Sequence, residues 1–187
     1  MNINMNIRSY CISAWNFMDP IYYHFTRLEN ITNEEGEKTM IRVRLTRYRG
    51  RTVTLEDGTV INRNDILLKI HLHNVKLLKY VQGTDSELRR GLMIYKYVRE
   101  SLPFIARYIQ MHEYRSEIRG LIGITTIYKG CKRLGFETKS IHNPYYKLFK
   151  VASFLPIQLL SSNTKKWANP MYLFMPKDLL LDKYKPV

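Results

Sequence analysis

The sequence predicts an α+β fold, with helices packed on a mainly antiparallel sheet, and three observations carry that prediction. Residues 67–73 alternate strictly: Lys69, His71 and His73 fall on one side and Leu68, Ile70 and Leu72 on the other, the period of a half-buried strand. Residues 40–49 alternate in the same way, with Ile41, Val43 and Leu45 on an apolar face and Arg42, Arg44, Thr46 and Tyr48 opposite. Short polar turns at Gly50-Arg51, Asp57-Gly58 and 62–65 separate these segments and leave room only for strands near 52–56 and 59–62, so the stretch reads as an antiparallel meander.

The remaining elements follow in chain order. Asp19 followed by Pro20 is an N-cap with proline at the first helical position, and with Ile21, Phe25 and Leu28 on one stripe it predicts a helix over 20–31. A polar turn at 33–38 leads into strands near 40–49, 52–56, 59–62 and 66–73. Residues 85–112 carry Leu88, Leu92, Tyr95, Leu102, Ile105 and Ile109 on one stripe, with Arg89, Arg90, Lys96, Glu100 and Arg107 opposite. That predicts a long amphipathic helix, which Pro103 is expected to kink or divide. The β-branched and glycine-rich segment 118–127 predicts a buried strand, followed by a helical turn through Arg133 and a strand at 136–141. A helix over 145–160, bounded by Pro144 and interrupted near Pro156, precedes an aromatic strand ending at 171–175 and a terminal helix over 177–184. The sequence has no internal repeat or low-complexity tract, and residues 1–187 read as one domain.

Composition bounds the function. Hydrophobic residues make up 45% of the chain, enough for an ordinary core and too many for a disordered chain. Thirty Lys and Arg against sixteen Asp and Glu give a net charge of +14, which points to anionic partners. An anionic small molecule or glycan-linked ligand is expected first. Peripheral contact with an anionic membrane surface stays open, and nucleic acid ranks behind both because no helix-turn-helix, zinc-finger or RNP-like pattern accompanies the charge. Cys11 and Cys131 form no CxxC pair, which excludes a disulfide scaffold and fits a reducing cytoplasm. The start lacks the basic-then-apolar pattern of a secretory signal, and no apolar run approaches the roughly 20 residues of a membrane span. A cytoplasmic protein with no cofactor is the expectation.

The candidate site is the polar side of the two alternating strands. If their apolar faces share a core, Arg42, Arg44, Lys69, His71 and His73 come together on the other side. Arginine offers a planar fork of donors to phosphate or carboxylate, lysine a point charge, and histidine a donor that also moves protons near neutral pH. Tyr48, Thr125 and Thr126 are candidate hydroxyl donors, although β-propensity alone accounts for the two threonines. His71 and His73 at HxH spacing are the candidate general bases. A metal is not expected there: two imidazoles do not complete a zinc shell, and Lys69 and the arginines repel a cation. No GxSxG is present, and Cys131 sits in a basic turn (Lys129, Lys132, Arg133) able to lower its pKa, without an identifiable partner, although burial is the more common fate of so small a residue.

DPIYY (19–23), RLEN (27–30), RVRLTRYRG (42–50), the DGT turn, NRNDILLKIHLHN (62–74) and GITTIYKGCKRLGFE (123–137) together resemble the YkoP-like family of Firmicutes over nearly the whole chain. The resemblance implies a domain found alone or fused behind polysaccharide deacetylase domains, and hence a setting in cell-envelope glycan metabolism. It supplies no residue-by-residue activity. The expected function is an accessory domain of envelope carbohydrate or lipid-linked metabolism that binds a phosphate-bearing or sugar ligand on the basic face. The alternatives are an enzyme, either acyltransferase-like or a hydrolase, and non-specific polyanion binding. IYKGCKRLGFE is similar to the end of the acetyltransferase fold, but no phosphate-cradling loop with the required glycine spacing precedes it.

Overall fold

The structure is a computed structural model. It describes residues 27–73, 76, 77, 80, 81, 83, 84, 86–126, 128, 130–161 and 169–185, with the backbone alone described at 87 and 154–161. Cys11, Trp167 and the helix start expected at Asp19-Pro20 lie outside these residues. The element order is β1 (Glu29–Thr32), β2 (Lys38–Arg47), β3 (Val53–Thr54), β4 (Val60–Ile61), β5 (Ile66–Leu72), α1 (Glu87–Met111), β6 (Ile118–Thr125), a 3-10 turn (Cys131–Leu134), β7 (Glu137–Ser140), α2 (Pro144–Ser161), β8 (Met171–Pro176) and α3 (Lys177–Lys183).

Six strands form one mixed sheet in the order β1-β2-β5-β6-β8-β7, and every pairing is antiparallel except β5 with β6. The long connection through α1 is what makes that parallel pair possible, since a parallel neighbour needs a crossover rather than a hairpin. The fold is therefore α+β, as the alternating segments predict. Two details differ. β3 and β4 close on the Asp57-Gly58 turn as a separate two-stranded sheet instead of extending the large one. Residues 29–32, expected at the end of a helix, form an edge strand on β2, where Leu28 and Ile31 are buried.

One side of the sheet is the main core. Ile41, Val43, Leu68, Ile118, Leu121 and Met175 meet Leu102, Ile105, Ala106 and Ile109 of α1 and Leu180 of α3. The helix begins at an N-cap, Ser86, whose side chain accepts from the Arg89 N–H, and it stays a single helix across Pro103. Its first turns depart from the expected stripe: Leu88 and Leu92 are 74% and 59% exposed. Helix α2 likewise runs through Pro156 without a break.

Among the described residues, the opposite side of the sheet carries a smaller apolar cluster at one end. Tyr48, Leu55, Ile61, Leu67, Ile122 and Phe174 pack together beneath the β3–β4 hairpin. The Glu56 N–H donates to Glu137 Oε1 at 2.6 Å, Lys132 Nζ pairs with Glu56 at 2.8 Å, and Lys139 Nζ donates to the Thr54 carbonyl at 3.1 Å, which fastens the hairpin to the β7 edge. The Tyr48 ring lies where a side chain on residue 50 would have to go, so only glycine fits there.

Candidate anion-binding face

Beyond that apolar cluster the same side of the sheet turns cationic, and the β2–β5 register is the reason. The antiparallel pairing sets Arg42 opposite His71 and Arg44 opposite Lys69 without a bulge, and directly opposed residues of an antiparallel pair share a face. Ile41, Val43 and Leu45 meanwhile oppose Leu72, Ile70 and Leu68 on the α1 side. The His73 N–H donates to the Met40 carbonyl at 2.7 Å, continuing the ladder one step and keeping His73 on the side of His71.

Helix α2 brings a further cation to this face. The Lys150 ammonium acts on Lys69, His71 and Arg44. The helix is seated there by Tyr146, whose ring stacks on Tyr172 of β8 at 6.4 Å, and Tyr172 in turn meets Tyr48 edge-on at 6.2 Å. A continuous aromatic line thus runs from the hairpin cluster to α2 and borders the cations.

The electrostatics of this face oppose positive charge. Burial, then Lys150 and Arg44, push the Lys69 pKa down to about 8. Burial and the surrounding cations push His71 down to about 3, so its imidazole is neutral at pH 7. The same two causes, burial and then Arg44, lower Lys150. Burial raises the phenols of Tyr48 and Tyr172, which stay protonated as donors. His71 Nε2 is buried without a hydrogen-bond partner among the described residues, while the Nε atoms of Arg42 and Arg44 are also buried and both arginines make other interactions. Burying several cations on one patch is unfavourable unless anionic charge meets them. A phosphate supplies that charge and accepts from several donors at once.

The residues singled out from the sequence separate into two groups. Arg42, Arg44, Lys69 and His71 come together, with His73 at the margin. Tyr48 shares their side of the sheet but is packed under the hairpin, as a wall of the aromatic line. Thr125 does not join them. It pairs with Met171, and alternation from Leu121, which pairs with the core residue Met175, puts it on the α1 side of β6. Cys131 is partly buried, the more common fate of such a residue, and burial raises its pKa. Sequence reasoning missed Lys150, Tyr146 and Tyr172. The alternation of Tyr172 and Phe174 in MYLFMP was a readable signal, whereas nothing local marks Lys150 as facing a strand some eighty residues earlier.

A groove of about 580 Å³ lies at the edge of the sheet between β1 and the end of α1. Glu29, Glu34, Arg107, Tyr108, His112 and Glu113 line it, so its charge is mixed, and Glu29 already accepts from the Tyr108 hydroxyl at 2.7 Å. It lacks the concentration of cations found on the β2–β5 face. Among the described residues no cluster of His, Cys, Asp and Glu is placed to hold a metal ion, and no helix is long and apolar enough to cross a membrane.

An α+β domain with a half-buried cationic sheet face under a helix is the class that fold and geometry define. The chain belongs to the YkoP domain family, which matches residues 8–184. It is 44% identical over 177 residues, 93% of this chain and 96% of the relative, to a Bacillus subtilis (strain 168) protein named "Uncharacterized protein YkoP". No solved structure matches the chain.

Proposed function

We propose that this protein is an accessory domain of cell-envelope carbohydrate or lipid-linked metabolism, acting at the cytoplasmic side, and that it binds a phosphate-bearing ligand on the face formed by Arg42, Arg44, Lys69, His71 and Lys150. The observation that carries this reading is the β2–β5 register, which puts Arg44 against Lys69 and Arg42 against His71 while α2 holds Lys150 over them. In this arrangement the two arginines fork onto phosphate oxygens, the two lysines add charge, and neutral His71 offers one further hydrogen bond. His71 is poorly suited to be a general base in the ligand-free state, because a group held near pKa 3 has little affinity for a proton at neutral pH. The envelope setting rests on the family resemblance and on the +14 charge.

The test is calorimetric titration of the full chain with inorganic pyrophosphate and glycerol 3-phosphate. Binding is expected, with Arg44→Ala weakening it about tenfold or more, the scale of a lost charged hydrogen bond. Treatment with a chelator is expected to change neither binding nor stability. Binding that Arg44→Ala leaves intact, or that a chelator abolishes, would overturn the proposal.

A further inference from the structure

The first half of helix α2, residues 144–153, is amphipathic in the reverse of the usual sense. In a helix that covers a sheet, the apolar stripe normally faces inward and the lysines face water. Here Lys150 and Tyr146 turn inward, onto Arg44, Lys69, His71 and Tyr172. The outward positions are Tyr145, Leu148 and Phe149, which are 84%, 68% and 62% exposed, with Ala152 one turn further on. These four follow the i, i+3, i+4, i+7 spacing of one helix face, so the exposed residues form a continuous stripe. Isolated exposed apolar side chains need no explanation, but a stripe of large ones on a helix whose ammonium group is turned inward does.

We propose that the outer face of α2 docks on an anionic membrane surface, and that the phosphate held beneath it is that of a lipid headgroup. This rests on the phosphate reading above and names the source of the ligand. Charge complementarity selects the membrane among apolar occupants: the chain carries +14, and a second copy of the chain would bring the same excess of positive charge. The residue types fit as well, since aromatic and leucine side chains beside lysines are the composition of helices that lie in the headgroup layer. Eighteen residues make a helix about 27 Å long, suited to lying along a surface. With α2 on the membrane, the cationic face lies about one helix diameter, roughly 10 Å, from the bilayer surface, the distance over which a bound headgroup is raised from the leaflet.

Flotation of the full chain with phosphatidylcholine vesicles, with and without phosphatidylglycerol, tests this at about 0.15 M salt, where weak long-range attraction is screened. Partitioning onto the anionic vesicles is expected. The charge-neutral double variant Tyr145→Ser, Leu148→Gln is expected to lower it about tenfold or more. That variant alters only exposed positions, and its pyrophosphate affinity is expected to match the wild type, which also shows that it is folded. Two results would overturn the docking: pyrophosphate binding without vesicle binding, or vesicle binding unchanged in the double variant. Self-association abolished by the double variant, in a protein that ignores vesicles, would overturn it in favour of a second copy as occupant. Vesicle binding that the double variant removes, in a protein that ignores pyrophosphate, would leave the docking standing and sink the phosphate reading instead.

Discussion

The two faces of the central sheet are made from the same strands and obey opposite rules. On the α1 side, Ile41, Val43, Leu68, Leu121 and Met175 are sealed against Leu102, Ile105 and Ile109, and stability comes from packing. On the other side Arg42, Arg44, Lys69 and His71 alternate with those same residues and are half-buried, and burial first, then their mutual proximity, depresses the pKa values of Lys69 and His71. A sheet surface this size has two faces to cover, and covering both with apolar side chains is the cheaper solution for stability. Retaining cations under a helix on one face opposes stability, and that cost is what the proposed phosphate ligand would offset.

The largest expected effect tests the packed face. Ile105→Ala removes a fully buried side chain from the centre of the α1 contact and should destabilise the protein by about 2–5 kcal/mol in denaturant melts. A loss below about 1 kcal/mol would mean that the site collapses freely and that the two faces differ less than their packing indicates. The opposite sign is expected on the cationic face. Lys69 has its pKa lowered from 10.5 to about 8, so in the folded state it is the charged form that is disfavoured. Between those values the unfolded chain binds more protons, and stability therefore rises with pH over that interval. Below about pH 8 the penalty is present in full, and above about 10.5 it vanishes. Lys69→Met should accordingly stabilise the ligand-free protein at pH 7 by about 1–2 kcal/mol after allowance for screening. The advantage should disappear in melts near pH 10.5. A neutral-pH melt showing Lys69→Met destabilised would indicate that the ammonium is well paired, and the contrast between the faces would fail.

Much of this contrast was legible in the sequence, because strand alternation is a local signal. Residues 41–45 and 68–72 announce their parity, and once two such strands pair, the in-register cations follow. The Asp57-Gly58 turn was equally readable, since Gly58 adopts φ +86° and the Asp57 carboxylate accepts from Thr59. What local signals do not carry is the choice of neighbours. The insertion of β6 beside β5, the departure of β3–β4 into its own sheet and the arrival of Lys150 depend on long-range contacts. Thr125 shows the same gap on a smaller scale: its β-propensity was plain, but its side of the sheet depended on the register of β6. The edge strand Glu29–Thr32 shows tertiary context overriding a helical pattern, as pairing with β2 buries Ile31 beside α1.

The smallest expected effect lies at the border of the packed face, and it decides how far that face extends. The apolar spacing of α1 places Leu92 on the same stripe as Leu102, Ile105 and Ile109, and by sequence alone all four would belong to the core. At 3.6 residues per turn, however, Leu92 lies about 100° around the helix from Ile109, toward the rim of the stripe. The first turns of α1 also leave Leu88 exposed, although it shares the angular position of buried Ala106. Position along the axis therefore matters as much as angle, because a helix buries a stripe only where there is sheet beneath it. Leu92→Ala should change stability by no more than about 0.5 kcal/mol, the range of ordinary surface substitutions, and the high helix propensity of alanine makes even a slight gain reasonable. A loss of 2 kcal/mol or more, comparable with about the lower end expected for Ile105→Ala, would show that the core reaches the first turns of α1 and that the packed face is larger than its described contacts.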